Sequence, residues 1–203
     1  MAFFYFFGMS FAKLMKIKGI MMRYGKLFCE TIIPQELIED TLAYITNLKF
    51  GTTKKNSDNV NRCSKVNFIG NSEILRAFLD ISLQVNKLSN WDLNIDGIEP
   101  LQYGEYHENG EYGWHVDQHD HVYKDNRVRK LSFSIFLNNN YEGGEFDLEV
   151  YNPVKDKRYI TYSNKVQTNT ALFFQSDYWH RVRPVQKGIR KSLVGWLLGP
   201  KYK

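Results

Sequence analysis

Only two cysteines occur in 203 residues, Cys29 and Cys63. With no CxxC pair and no ladder of thiols, a secreted fold stapled by disulfides is excluded, and a reducing compartment such as the cytoplasm is expected. Both thiols read as small buried hydrophobes. No stretch reaches the roughly 20 apolar residues that a helical membrane span needs. Nor does any run of five like charges exist. The net charge of +5, from 27 Lys and Arg against 22 Asp and Glu, is spread along the chain rather than gathered into a nucleic-acid footprint. Internal repeats and low-complexity linkers are also missing, which leaves one domain as the simplest organisation.

The longest apolar run is Ala2 to Ala12, followed by Lys13, Lys16 and Lys18. It is too short to span a bilayer, and its charges follow the apolar segment where a signal peptide carries them in front. Residues 1–22 therefore read as a leader, disordered or reflecting a misplaced start, with Met15, Met21 and Met22 as later starts. Residues 23–203 read as a single domain, with helical support over 30–90 and a β core over 91–200.

What the chain has in quantity is aromatic side chains, 13 Tyr and 14 Phe among them, and these favour strands. Lys26 to Ile33 is a short strand candidate. Pro34 opens a helix over 34–48, where its missing N–H costs nothing, with Leu37, Ile38, Leu42, Ile45 and Leu48 as the apolar stripe. Gly51 to Asn61 reads as a polar loop, and a second helix is expected over 72–88. From there the texture changes to short runs rich in Val, Ile, Tyr, Phe and Trp between Gly, Asn and Asp clusters. Strands are expected at Trp91–Ile95, Pro100–Tyr106, Tyr112–Val116, Lys130–Leu137, Glu145–Val150, Arg158–Tyr162, Thr170–Phe174 and Arg190–Leu197. The fold class is mainly β with supporting helices, an antiparallel sandwich or barrel. Within Lys130–Leu137, Leu131, Phe133, Ile135 and Leu137 share one face, which should pack under the helices. Ser132, Ser134 and Phe136 share the other, which should look into a partly polar interior.

Four of the five histidines crowd into residues 107–121, and the fifth is His180. His115 and Asp117, at i and i+2 after a strand-like run, project to one face. Two imidazoles and one carboxylate form the facial triad of non-haem Fe(II) oxygenases, and His180 completes it. The pair alone is a weak signal, since any polar loop can carry it. A structural histidine at a strand end and a surface ion-pair arginine are the ordinary alternatives for His180 and Arg190.

The downstream segments add weight. Tyr106, His115-Val116-Asp117, Arg129-Lys130-Leu131-Ser132, Leu137-Asn138, Tyr141-Glu142-Gly143-Gly144-Glu145-Phe146, His180 to Val185 and Gly188-Ile189-Arg190 through Trp196 occur in order. From about Lys26 to Pro200 the chain resembles the 2-oxoglutarate- and Fe(II)-dependent oxygenases of the prolyl-4-hydroxylase-like branch, which includes PKHD-type hydroxylases. The resemblance implies a double-stranded β-helix, or jelly roll, flanked by N-terminal helices. It implies that His115, Asp117 and His180 hold Fe(II), and that Arg190 binds the distal carboxylate of 2-oxoglutarate, with Tyr106 and Ser132 also contacting this cosubstrate. Trp196, Phe136 and Tyr112 would wall the site. The implied reaction is decarboxylation of 2-oxoglutarate to succinate and CO₂ with O₂, coupled to hydroxylation of an unactivated C–H bond. Ascorbate is a further candidate cofactor.

Many prolyl hydroxylases have a tyrosine where Phe136 stands, so Arg190 is expected to act with Ser132, Ser134 or a water instead. The implied substrate is a peptidyl residue such as proline; a free amino acid or other small molecule is the alternative. A nucleic-acid demethylase is disfavoured, because that branch carries a second arginine where Trp196 stands. A membrane partner is not expected, and oligomeric state is not readable. A non-catalytic jelly-roll binding module would predict a damaged triad. A metal site of His115, His119 and His121 is a further alternative, and Tyr103 competes with Tyr106.

Overall fold

The structure, a computed structural model, describes residues 21–22, 25–46, 51–52, 64–118, 125–150 and 158–201. In chain order come β1 (Met21–Met22), β2 (Gly25–Lys26), β3 (Phe28–Ile32), helix α1 (Gln35–Thr46), β4 (Gly51–Thr52), β5 (Lys65–Ile69) and helix α2 (Ser72–Leu88). The following strands are β6 (Gly97–Ile98), β7 (Leu101–Tyr106), β8 (Tyr112–His115), β9 (Arg127–Phe136), β10 (Tyr141–Gly143), β11 (Phe146–Leu148) and β12 (Ile160–Tyr162). The last are β13 (Thr170–Gln175), β14 (His180–Val182), β15 (Val185–Gly188) and β16 (Arg190–Pro200). Of the expected leader, residues 1–20 lie outside the described residues, while Met21 and Met22 pair with Lys26 and Gly25.

Both helices start where the sequence supplies a start signal. The carbonyl of Pro34 accepts the Ile38 N–H, so α1 begins directly after a residue that has no N–H to leave unpaired. The Asn71 side chain accepts from the Glu73 and Ile74 N–H groups at 3.0 Å each, capping α2, and Glu73 lies in its first turn. The buried faces, Leu37, Ile38 and Ile45 of α1 with Ile74, Phe78, Ile81 and Val85 of α2, join one core cluster with Leu131, Phe133 and Ile135 of β9. Phe78 stacks on Phe133 at 5.5 Å, and an added Cβ on Gly195 would lie 2.2 Å from that same ring. Glycine at 195 is what lets Phe133 lie across β16.

The strands form a jelly roll. The larger sheet runs β3-β13-β9-β16-β7-β5-β4, with β6 also on β16, and the smaller runs β12-β11-β14-β8; their pairings are antiparallel. A second cluster fills the space between them, with Phe28, Tyr106, Phe136, Leu172 and Phe174 from the larger sheet meeting Phe146, Leu148, Tyr162 and Val182 from the smaller. The expected parity of β9 holds. Its apolar face lies under the helices, and Ser132, Ser134 and Phe136 look into the space between the sheets.

The structure corrects some expectations and adds strands that the sequence did not announce. Trp91–Ile95 is not a strand: Asn90 and Asp92 adopt positive φ (55° and 49°), which breaks an extended path, and pairing starts only at Gly97–Ile98. Side chains hold this stretch instead. The Asn86 amide bonds both main-chain groups of Leu93, and the Trp91 indole donates to the Lys26 carbonyl. Lys65–Ile69 is a strand that apolar alternation hides, because Phe68 is exposed while Asn67 is buried. The short strands β10, β14 and β15 likewise carry too few residues for a period to show. Most of the expected loop Gly51–Asn61 lies outside the described residues; Gly51 and Thr52 pair with Val66 and Lys65.

On the other face of the smaller sheet, the fully buried Asp147 ties three strands together. It accepts from Arg183 Nε and Nη2 (2.8 and 3.0 Å), Arg181 Nε (2.7 Å) and Thr161 Oγ1 (2.8 Å). Burial alone would raise this carboxyl, but the bonds from Arg183, Arg181 and Thr161 hold it below the ordinary value of 3.8. Asp147→Asn should therefore lower the free energy of unfolding by about 1–3 kcal/mol near neutral pH, the cost of weakening charge-assisted bonds to partly exposed partners. Because folding depresses this carboxyl, its contribution is complete above the carboxylate range and fades as pH falls through the folded-state value. Urea titrations of the two proteins should therefore converge in acid; a gap independent of pH would assign the loss to packing instead.

Candidate metal centre

β8 and β14 are neighbours, and their register sets His115 directly opposite His180. After His115 the chain leaves the sheet, and the N–H groups of Asp117 and Gln118 both donate to the Ser176 carbonyl (2.9 and 2.8 Å). That fork fixes Asp117 against the two imidazoles. Ser176 is anchored in turn by its N–H on the Lys130 carbonyl and its hydroxyl on Ser132 at 2.9 Å. The ligand atoms of His115, Asp117 and His180 all lie within 4.8 Å of one another, with His115 Nε2 3.9 Å from Asp117 Oδ1 and His180 Nε2 3.5 Å from Asp117 Oδ2.

Both tautomers follow from the partners. His115 Nδ1 is 2.8 Å from the Gly113 carbonyl and His180 Nδ1 is 2.9 Å from the Tyr178 carbonyl. A carbonyl only accepts, so each Nδ1 carries the proton, and each Nε2 presents its lone pair toward Asp117. This is how metal-ligating histidines are oriented. Burial pushes the Asp117 carboxyl up, but the positive charge that His180 and His115 carry when Nε2 holds a proton in place of a metal, together with a hydrogen bond from Ser132, outweighs it and holds it below the carboxylate range. Asp117 Oδ2 is buried with no hydrogen-bond partner. A desolvated, ionised oxygen facing two imidazole lone pairs fits a divalent cation. At bonds of about 2.0–2.2 Å, two nitrogens and one oxygen this close can share one ion.

The second charged group of the interior is Arg190. It begins β16 opposite Tyr106 of β7 and is 1% exposed, yet its Nε and Nη2 have no hydrogen-bond partner. Its Cζ lies 5.4 Å from the Tyr106 ring and 5.5 Å from the Phe136 ring. Ring contacts join this end to the metal end, from Phe136 to Phe146 (6.3 Å) and from Phe146 to His180 (5.6 Å). A cation-binding triad and an anion-seeking guanidinium therefore border one interior. A dianion with an oxo group at one end and a carboxylate at the other suits that pairing.

The other sequence candidates take definite places. Tyr112 stacks on His115 at 3.6 Å, and Trp196, opposite Ser132, lies under Arg129 at 3.9 Å with its Nε1 buried and unpartnered. Arg129 is itself gripped by both oxygens of Glu99 (2.7 and 2.6 Å). Ser132 and Ser134 face Trp196 and Val194, roughly 20 and 14 Å along the strand from Arg190. Neither hydroxyl therefore sits at the guanidinium, and the Ser132 hydroxyl is engaged by Ser176 and Asp117. His119 and His121 lie outside the described residues. Sequence reasoning missed Ser176, whose contribution is mostly main-chain and leaves no side-chain signature. It also passed over Tyr141, which stands beside Arg190 and appeared in the sequence only as the first residue of the segment Tyr141 to Phe146.

Residues 101–198 match the family model of the 2OG-Fe(II) oxygenase superfamily. The chain is similar to a PKHD-type hydroxylase of Gloeothece citriformis (35% identity over 103 residues, 49% of this chain and 43% of that one). It is similar also to one of Crocosphaera subtropica (30% over 125 residues, 61% and 53%) and one of Synechococcus sp. strain CC9902 (32% over 88 residues, 42% and 35%). The chain thus spans between about a third and a half of the length of these relatives. In three dimensions it resembles a Pseudomonas putida prolyl-4-hydroxylase (TM-score 0.61, 18% identity, 86% and 92% covered). It likewise resembles a Trichoplax adhaerens prolyl hydroxylase in complex with a peptide fragment of the hypoxia inducible factor oxygen degradation domain (0.61, 18%, 84% and 83%). These structural likenesses establish the jelly-roll fold.

Calorimetric titration with Fe(II) under anaerobic conditions should give one site. Asp117→Ala should weaken it by more than about 100-fold, since even outer partners of ligands are worth 10- to 100-fold, with the thermal transition retained. His119→Ala and His121→Ala should bind as the parent does; loss of binding in either would move the site to those histidines.

Proposed function

We propose, from the match of residues 101–198 to the 2OG-Fe(II) oxygenase superfamily model, that this chain hydroxylates an unactivated C–H bond of a peptidyl residue such as proline. O₂ and 2-oxoglutarate are consumed, and succinate and CO₂ are released. The observation that carries the cosubstrate is Arg190. A guanidinium buried to 1% exposure with two nitrogens unpartnered costs several kcal/mol unless an anion shares its site. The distal carboxylate of 2-oxoglutarate is that anion, and it can accept two parallel N–H bonds from the planar fork.

In this reading His115, Asp117 and His180 would hold Fe(II). When bound, iron and cosubstrate supply the oxidising chemistry. The chain's own work is to hold, orient and exclude. The Gly113 and Tyr178 carbonyls lock the imidazole tautomers, and the Ser176 fork with Ser132 fixes the carboxylate. Phe136, Phe146 and Phe174 dry the interior between the metal ligands and Arg190. Trp196, opposite Ser132, and Tyr112, stacked on His115, wall the metal end of the site. A dry interior strengthens each of these electrostatic contacts and suppresses side reactions with water.

A peptidyl substrate draws support from the kinship with PKHD-type hydroxylases and from the peptide held by the Trichoplax relative of the fold. Among the described residues no helix is long and apolar enough to cross a membrane. The buried, free Cys29 suits the cytoplasm.

Succinate formation from 2-oxoglutarate with Fe(II), first alone and then with a proline-containing peptide library, tests the reading directly. Arg190→Ala should raise the 2-oxoglutarate requirement roughly 30- to several-thousand-fold, the range for losing one partner of a desolvated charge pair, with Fe(II) binding unchanged. An unaltered 2-oxoglutarate dependence would remove the cosubstrate assignment.

A further inference from the structure

The Arg190 fork supplies donors from one side only. On its flanks are the rings of Phe136 and Tyr106, and Phe136 has no hydroxyl to offer a carboxylate. A third aromatic residue reaches the same place from another direction. Tyr141 opens β10, which pairs with β15 and so puts Tyr141 opposite Gly188, two residues before Arg190. Gly188 adopts φ +81°, and a Cβ there would approach the Tyr141 Cα to 3.4 Å, so the strands meet closely at this point. Gly144, at φ +62°, completes the arrangement. A Cβ on it would lie 3.1 Å from Arg190 Cδ and 3.3 Å from Tyr141 Cε2. The stem of the arginine and the ring of the tyrosine therefore converge over a single glycine, and Tyr141 is only 4% exposed.

We propose that the Tyr141 hydroxyl is the second donor to the distal carboxylate of 2-oxoglutarate, replacing the one that Phe136 lacks. This rests on the cosubstrate reading of Arg190 given above. Burial raises the Tyr141 phenol, while the charge of Arg190 and a side-chain hydrogen bond with it pull the other way; Glu145 acts only through its charge. A guanidinium can only donate, so in that bond the tyrosine oxygen accepts, and its own O–H proton is left for another acceptor. An anion held by the arginine fork is that acceptor. The phenol and the guanidinium then bind the same carboxylate while bonding each other, a triangle in which no polar atom is left over. Gly144 thereby gains a role beyond its positive φ: its bare Cα lets the two side chains close on one point.

The test is binding rather than turnover, with the Mn(II)-loaded protein and 2-oxoglutarate titrated calorimetrically. Tyr141→Phe keeps the ring and removes the donor. It should weaken 2-oxoglutarate by roughly tenfold or more, the value of a hydrogen bond to a charged group, and leave Mn(II) affinity unchanged. 2-Oxobutyrate, which has no distal carboxylate, should bind parent and variant alike. Phe136→Tyr added to Tyr141→Phe should recover part of the loss. Phe136→Tyr alone should improve binding by less than about threefold, because the donor position is already taken; a gain approaching the tenfold worth of such a bond would show it vacant and overturn the proposal. Unchanged 2-oxoglutarate affinity in Tyr141→Phe would also overturn it. Arg190→Ala separates the two levels: if it loses 2-oxoglutarate while Tyr141→Phe does not, only the tyrosine's role falls. If neither variant loses it, the cosubstrate reading falls as well.

Discussion

The pairing of β9 with β16 organises everything else, because a strand has only two faces and these two strands give each face a different task. Residues from Ser192 to Pro200 pair with Phe136 back to Arg127, with a single shift between Leu197 and Leu198. Leu131, Phe133 and Ile135, with Leu193 and Leu197, form the floor under α1 and α2. The intervening residues, Ser132 and Phe136 with Arg190 and Trp196, face the smaller sheet. A slip of one residue would exchange the faces. It would put Arg190 under the helices and Leu193 in the site, so the helical core and the chemistry are specified by the same register.

Two desolvated charges of opposite sign stand in that interior, each held without a counterion at its inner edge. Asp117 is fixed through the Ser176 main chain and Ser132, Arg190 by its strand and by the rings of Tyr106 and Phe136. Asp147, on the outer side of the smaller sheet, is equally buried but has four donors and serves only the architecture. Two aspartates within one fold thus separate by a single criterion. The structural one is saturated with hydrogen bonds, and the candidate metal ligand keeps an unpartnered oxygen beside the imidazoles. The same criterion picks Arg190 out from Arg129, which grips Glu99 with both arms of its fork.

The periodicities of the longer elements were legible in the chain. The stripe of α2, the two faces of β9, and the alternation from Arg190 to Trp196 each repeat often enough to show. The triad was legible as well, because His115 and Asp117 are two residues apart and His180 follows an apolar strand. Trp91–Ile95 misled because its aromatic and apolar residues serve a strap held by Asn86 and bent by positive φ at Asn90 and Asp92. Lys65–Ile69 was hidden because Phe68 faces solvent while Asn67 is buried.

By itself the sequence determined the class of fold, the boundaries of both helices to within a residue or two where they are described, and which residue types could hold a metal and an anion. These depend on local spacing, and local spacing is written in the chain. What tertiary structure alone decided is which groups share a space. Ser176 reaches Asp117 through a main-chain carbonyl, which no side-chain pattern encodes. Ser132 falls at the metal end because of where β9 registers on β16. Tyr141 arrives beside Arg190, 49 residues later in the chain, because β10 and β15 pair and Gly144 has no side chain to hold the two apart. Contacts of that kind are set by strand register and the absence of a Cβ, and both become visible only when the sheets close.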